Sequence, residues 1–298
     1  MLSPPYTTNS TAICIVIFHQ VYELEYIKIS KILRKEKIPY IIVPHGSLTT
    51  EAQKQKRIKK ILGNILFSSF IKRAVAIQCL SKKEWSNTKI NVPKLIETNG
   101  CVIPSQRKLS FSTKKIKFVY IGRLDYHIKG LDIMLDAFKI LMNSPYKNKC
   151  ELRLYGPDYQ GRYAYVEQMI AERSLNEFVT LNPPVFESDK ENVLLESDVF
   201  IQTSRTEAMP MGILEALSYG LPCLVTKGTT LGEIIKENNA GWMAETSVES
   251  IVNAIKKAIL EKDQYEEKSK NAISLIQKEF GWDKIAKATI EKYRLLVL

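Results

Sequence analysis

Short apolar runs alternate with segments of helical period along most of the chain. Residues 12–18 read as a buried strand, 22–37 as a helix and "IPYIIV" (38–43) as the next strand. A basic helical region follows, then a strand at 74–80, a short helix from Ser81 and the segment 93–100. Between 105 and 115 the sequence turns polar and loses its period, which places a domain boundary there. A second series runs strand 115–122, helix 131–142, strand 150–156, helix 163–173, strand 178–181, helix 190–196 and strand 198–203. A helix from Met211, a strand at 222–226 and a segment at 231–237 continue it.

Strands alternating with helices predict parallel sheets built from βαβ units. The expected class is α/β, with two Rossmann-like domains facing a cleft, over 1–110 and 113–281. A terminal helix is expected over 282–298, and the pattern alone does not name its partner domain. Ligands of such folds sit at the carboxyl ends of the strands, often between domains.

Composition narrows the classes. The 298 residues are 45% hydrophobic and 25% charged, a globular rather than disordered balance. The longest apolar run, 12–18, falls well short of the ~18–20 residues of a membrane span. The N-terminus lacks the basic start of a secretory signal. Five scattered cysteines without a Cys-x-x-Cys pair favour reduced thiols and a cytoplasmic setting over a disulfide framework or zinc site.

Charge is the more informative bound. Residues 1–112 hold 18 Lys/Arg against 6 Asp/Glu, so the whole excess of the +11 chain sits in its first third. Much of it lies in 51–74, where Lys54, Lys56, Arg57, Lys59, Lys60, Lys72 and Arg73 flank Ile61, Leu62, Ile65, Leu66, Phe67 and Phe70. Such a segment suits an anionic membrane surface or anionic ligand; a solvated helix face over an ordinary core has the same pattern. Nucleic-acid binding would need aromatic platforms and recognition motifs that are absent here.

Candidate chemistry gathers at predicted strand ends. In "TSRTEAMPMGILEALSYGLP" (203–222), Pro210 suits the first turn of a helix whose free N–H groups favour a phosphate. Glu215 would stand about 7 Å along that helix, placed to accept from a vicinal diol, with Glu207 on the other side of the phosphate. The plainer meaning of Glu215 is dipole complementation. In "FVYIGRLDYHIKGLDIML" (118–135), Gly122, Arg123, Lys129 and Gly130 make a plausible diphosphate clamp, or two cations in a loop. His45, one of three histidines, ends a strand with Gly46.

These residues together resemble the retaining, nucleotide-sugar-dependent glycosyltransferases of the GT-B fold, family 4, of the bacterial surface and capsular polysaccharide type. The glutamate–seven residues–glutamate signature matches Glu207 and Glu215. Gly-Arg…Lys-Gly matches Gly122, Arg123, Lys129 and Gly130; His-Gly matches His45 and Gly46; and "TNG" (98–100) resembles the family's turn near the domain junction. The resemblance implies that Arg123 and Lys129 bind the donor diphosphate, with Gly122, Met211, Gly212 and Ile213 around it. It implies Glu215 on the ribose hydroxyls, and Glu207 and His45 on the transferred sugar. It further implies a UDP- or GDP-linked donor, no metal (no Asp-x-Asp occurs), a lipid-linked or oligosaccharide acceptor, and a terminal helix crossing back onto the first domain. Peripheral contact with the inner face of the cell membrane through 51–74 would bring the enzyme to such an acceptor.

Three departures stand out. The family's first domain normally begins with a glycine-rich strand–loop–helix unit and further elements, so the first domain is expected to be incomplete, with exposed apolar sheet edges. Ala208 and Gln20 stand where relatives often have glycine. A non-catalytic accessory or remnant module that binds nucleotide or a partner enzyme is the alternative function.

Overall fold

The computed structural model describes residues 14–54, 57–108, 110–112, 114–158 and 160–297. The chain divides into two compact units, one of residues up to Thr98 with Ala286–Leu298, the other Asn99–Ile285. The division falls after Thr98 rather than within 105–115.

The first unit is a four-stranded parallel sheet in the order β1 (Val16–His19), β2 (Tyr40–Val43), β3 (Ala76–Cys79), β4 (Lys94–Ile96). Every residue of β2 and β3 is buried, as expected of parallel strands covered on both faces. Helices α1 (Leu24–Lys35), α2 (Thr50–Lys54), α3 (Arg57–Lys72) and α4 (Lys82–Asn87) connect them. Tyr40 stacks on Phe70 of α3 at 5.5 Å and donates its hydroxyl to the Phe70 carbonyl at 2.7 Å, while Phe18 meets Phe70 edge-on. That aromatic group fastens α3 to the sheet. At the β1 edge Ile17 remains 39% exposed.

From Ala286 onward, α12 (Trp282–Val297) belongs to the first unit. Tyr293 packs with Ile41 and Ala76 and bonds Gln78, and Lys292 pairs with Glu97.

The second unit is a six-stranded parallel sheet in the order β10-β9-β8-β5-β6-β7. Its strands are β5 (Ile116–Ile121), β6 (Cys150–Tyr155), β7 (Val179–Asn182), β8 (Val199–Gln202), β9 (Cys223–Thr226) and β10 (Gly241–Ala244). Helices α5 (Leu131–Met142), α6 (Arg162–Glu172), α7 (Glu187–Glu196), α8 (Met211–Ser218), α9 (Gly232–Glu237), α10 (Val248–Leu260) and α11 (Tyr265–Leu275) accompany them. In α5, Leu131, Met134, Leu135, Phe138, Leu141 and Met142 are buried at helical spacing, each worth about 1.5–3 kcal/mol on removal from water.

The chain builds outward from β5 in one direction through β6 and β7, and in the other through β8, β9 and β10. The reversal lies between β5 and β8, and the crevice beyond the carboxyl ends of those strands is where such sheets bind ligands.

Four cysteines are buried and Cys14 is exposed. Burial pushes the thiols of Cys79 and Cys150 up to about 11 and about 12, and raises those of Cys101 and Cys223. Among the described residues no helix is long and apolar enough to cross a membrane. Lys56 lies outside the described residues, as does the side chain of Arg57.

Candidate active site

The loop after β5 carries Gly122, Arg123 and Lys129. The Gly122 amide donates to the Tyr155 carbonyl at 3.0 Å, so the loop leaves the sheet beside β6. The hydroxyl of fully buried Tyr120 donates to the Arg123 carbonyl at 2.7 Å and anchors the exposed Arg123 at its backbone. Lys129 donates its amide to the Asp125 carbonyl at 2.8 Å. Gly130 follows at φ 67°, where an added Cβ would stand 2.1 Å from the Thr203 carbonyl oxygen.

The loop after β8 clasps this one. Thr203 Oγ1 donates to the Gly130 carbonyl at 2.8 Å, and the Arg205 amide donates to the Ile128 carbonyl at 2.9 Å. The Arg205 guanidinium takes both oxygens of Asp132 at 2.7 and 2.8 Å and also reaches the His127 carbonyl. A planar fork on a carboxylate is the arrangement a lysine cannot reproduce. This brace leaves no local sign in the sequence, because Arg205 and Asp132 are 73 positions apart.

Within the clasp, Lys129 Nζ meets Glu207 Oε1 at 2.5 Å, both side chains being mostly buried. The same oxygen accepts from Ser204 Oγ at 2.8 Å and Gln202 Nε2 at 3.0 Å, while the Glu207 amide donates to the Gly228 carbonyl at 3.0 Å. Two residues expected to serve different parts of one ligand are thus in direct contact. The pair presents a carboxylate of fixed orientation beside a cation, suited to sugar hydroxyls next to a phosphate.

Helix α8 starts at Met211 with Pro210 as its cap residue. A Cβ on Gly212 would lie 3.4 Å from the Ile121 carbonyl, so the helix's amino end packs onto the last residue of β5. The first-turn amides and the positive end of the helix therefore sit at the mouth of the Arg123 loop. Ile213 contributes less than its place in the pattern implies: its side chain is in the core and its amide donates to the Pro210 carbonyl at 3.1 Å.

Glu215, one turn further along α8, accepts from Lys190 Nζ of α7 through both oxygens at 3.0 Å. It lines a groove of about 570 Å³ with Gly100, Cys101, Met211, Tyr219 and Trp282. Asn99 Nδ2 reaches Met211 Sδ at 3.7 Å, which brings the turn at Asn99 and Gly100 to this groove. Burial raises the Tyr219 hydroxyl, and Glu191 and Glu215 add to the effect. Lys190 is a site residue that sequence reading missed, since it stands on another helix 25 positions away.

His45 belongs to the first unit and follows β2. It adopts φ 50°, and its Nε2 lies 3.0 Å from Nδ1 of His19 at the end of β1, the two rings stacked at 5.2 Å. Burial, then the neighbouring His19, lowers the His45 pKa. Buried Glu84 holds the turn from behind, accepting the Gly46 amide at 2.5 Å and the Leu80 amide at 2.7 Å, and burial raises its own pKa. Among the described residues no three His, Cys, Asp or Glu side chains group as a metal site.

Residues 103–275 match the family described as glycosyl transferases group 1. The chain is similar to a component of human phosphatidylinositol N-acetylglucosaminyltransferase, with 27% identity over 179 residues, 60% of this chain and 36% of that protein. A shorter stretch resembles the Escherichia coli UDP-Gal:alpha-D-GlcNAc-diphosphoundecaprenol alpha-1,3-galactosyltransferase, 39% identical over 69 residues, 23% of this chain and 18% of that one. The matched segments thus span at most about a third of these two curated relatives. The crystal structure of Anabaena HepE in complex with UDP superposes with a TM-score of 0.75 at 18% identity, covering 94% of this chain and 78% of that one, which establishes a shared fold. With the family match covering more than half of its residues, the chain belongs to the glycosyl transferases group 1 family.

Proposed function

We propose that this protein transfers a sugar, with retention, from a UDP- or GDP-linked donor to a lipid-linked or oligosaccharide acceptor in surface polysaccharide assembly. The observation that carries the reading is the convergence of the Arg123 loop, the Lys129–Glu207 pair and the amino end of α8 at one reversal point. Arg123, Lys129 and the Met211 and Gly212 amides hold the donor diphosphate and offset the charge that grows as it leaves, the dominant catalytic contribution in this reading. Glu207 orients the transferred sugar and Glu215 accepts from the ribose hydroxyls, with Lys190 steadying its carboxylate. His45 contributes to holding the transferred sugar in this reading.

The names of the relatives support a lipid-borne acceptor: one acts on phosphatidylinositol, the other on a diphosphoundecaprenol-linked sugar. The UDP in HepE supports a uridine donor. The basic segment 51–74 contacts the anionic inner leaflet, where such acceptors reside. Protein cations and helix amides rather than a metal ion neutralise the diphosphate in this scheme, so EDTA leaves turnover unchanged.

Thermal melting with UDP, GDP and their sugars tests the donor site. One nucleotide raises the melting temperature, and Glu215→Ala removes that shift. No response to any nucleotide sugar overturns the assignment. Radiolabelled donor with membrane extract then separates an enzyme from an accessory module, which binds without transfer.

A further inference from the structure

A second groove, of about 600 Å³, lies in the first unit, begins three positions after His45 with Leu48, and includes none of Arg123, Lys129, Glu207 or Glu215. Lys72 and Lys89 line it, with Asn91, Ser68 and the amides of Gln53 and Asn64, over an apolar floor that includes Leu48. No carboxylate is among the described residues that line it. One wall is fixed: Tyr22 donates its hydroxyl to Asn64 at 2.7 Å, Asn64 donates to Gln53 at 2.8 Å, and Gln53 donates to the Tyr22 oxygen at 2.9 Å and the Ser47 carbonyl at 2.7 Å. Lys60 lies over the Tyr22 ring at 3.9 Å.

The groove adjoins an apolar strip on the same helix. Ile61, Leu62, Ile65 and Leu66 of α3 are 51%, 63%, 70% and 56% exposed, while Phe67, Phe70 and Ile71 face the core. Steps of three and four residues connect Ile61, Ile65, Ser68 and Lys72, which therefore follow one another along one face of the helix. The strip runs about 16 Å along the axis to the groove's cation. Four exposed aliphatics with Lys59 before them and Lys72 and Arg73 after them form an apolar band with basic ends, the profile of a helix lying in a membrane interface.

We infer that this groove receives the phosphate of an anionic membrane lipid, its two lysines flanking the headgroup while Ile61, Leu62, Ile65 and Leu66 enter the acyl boundary. The inference rests on the membrane-contact reading of residues 51–74 and adds a headgroup site to it. Two cations without a carboxylate match a phosphomonoester, which carries more charge than a phosphodiester. Lipids such as phosphatidic acid are therefore preferred over phosphatidylserine at equal surface charge.

Cosedimentation of the full chain with phosphatidylcholine vesicles tests this, the vesicles carrying either phosphatidic acid or phosphatidylserine at matched surface potential. The native protein binds the phosphatidic acid vesicles about fivefold or more tightly than the others. Lys72→Gln/Lys89→Gln abolishes that preference and weakens binding about thirtyfold, near the increment of two surface lysines. Lys82→Gln/Lys83→Gln, with the same charge change on α4, keeps the preference, and so does Ile65→Ser/Leu66→Ser while binding both vesicles more weakly.

Vesicle binding without preference, or equal loss of preference in both lysine pairs, overturns the groove and leaves the membrane contact standing. Absence of binding to either vesicle overturns both. If glycerol phosphate saturates the groove at millimolar concentration without displacing the vesicles, the ligand is a free phosphate and the lipid assignment fails. Self-association of the native chain that Ile65→Ser/Leu66→Ser abolishes, without vesicle binding, gives the strip to a second copy instead.

Discussion

Gly130→Ala and Gly161→Ala form a matched pair of perturbations. Both glycines cap helices in the left-handed region, at φ 67° and 72°. Alanine there costs about 1–2 kcal/mol in either place. The surroundings differ: an added Cβ meets nothing within 4 Å at Gly161 but stands 2.1 Å from the Thr203 carbonyl oxygen at Gly130. Ordinary contact begins near 3.4 Å, so the Gly130 backbone must retreat by more than an ångström. That movement breaks the Thr203–Gly130 and Arg205–Ile128 hydrogen bonds, each worth about 1 kcal/mol.

The expected losses are about 3–4 kcal/mol for Gly130→Ala and about 1–2 kcal/mol for Gly161→Ala. Denaturant titration of both variants measures the difference. Because Lys129 precedes the displaced residue, Gly130→Ala also diminishes the melting shift given by the donor nucleotide, and Gly161→Ala does not. Equal destabilisation, or an undiminished nucleotide response in Gly130→Ala, refutes the argument that the β8 loop clasps the Lys129 loop.

Further tests address single residues. Gln20 sits at φ 77°, so Gln20→Gly raises stability by about 0.5–1 kcal/mol despite the freedom it adds to the unfolded chain, and a fall in the denaturation midpoint counts against it. His45 has a pKa lowered from 6.5 in the folded protein, so its share of stability is present above pH 6.5 and drains away as pH falls below it. Denaturant titrations at pH 7.5 and 5.5 therefore differ by less in His45→Gln than in the native protein; an unchanged difference rejects the histidine-pair account. Glu207→Gln keeps the shape but loses the charge, and in a transfer assay it lowers kcat about a hundredfold while KM for the donor holds or falls. A kcat within threefold of native removes Glu207 from the sugar site.

Much of the second unit was readable because its elements carry strong periods. The expected helix over 131–142 coincides with α5, and α8 begins at Met211 as Pro210 implied. Residues 238–281 yielded no expectation although they form β10, α10 and α11. Four strand residues, "GWMA", are too few to show alternation, whereas Ile251, Ile255 and Ile259 of α10 do recur at helical spacing and carry a signal that sequence reading missed. Gln20, noted only as standing where relatives often have glycine, proves to hold the backbone angle that glycine favours.

The site itself was legible as residue types and opaque as contacts. Glycine, cation and carboxylate spacing marked Arg123, Lys129, Glu207 and Glu215, yet the Lys129–Glu207 and Lys190–Glu215 pairs join positions 78 and 25 apart. Only the order of strands brings such partners together, and strand order leaves no local mark. The His19–His45 contact follows from β1 and β2 being neighbours in parallel register.

The distribution of thiols has a practical corollary. With four sulfurs sealed in the interior and their ionisation suppressed, a maleimide dye at neutral pH reacts at Cys14 alone. The native chain therefore accepts one fluorophore just ahead of β1 without any engineering, and changes in that reporter's emission on mixing with vesicles read out events at the first unit directly.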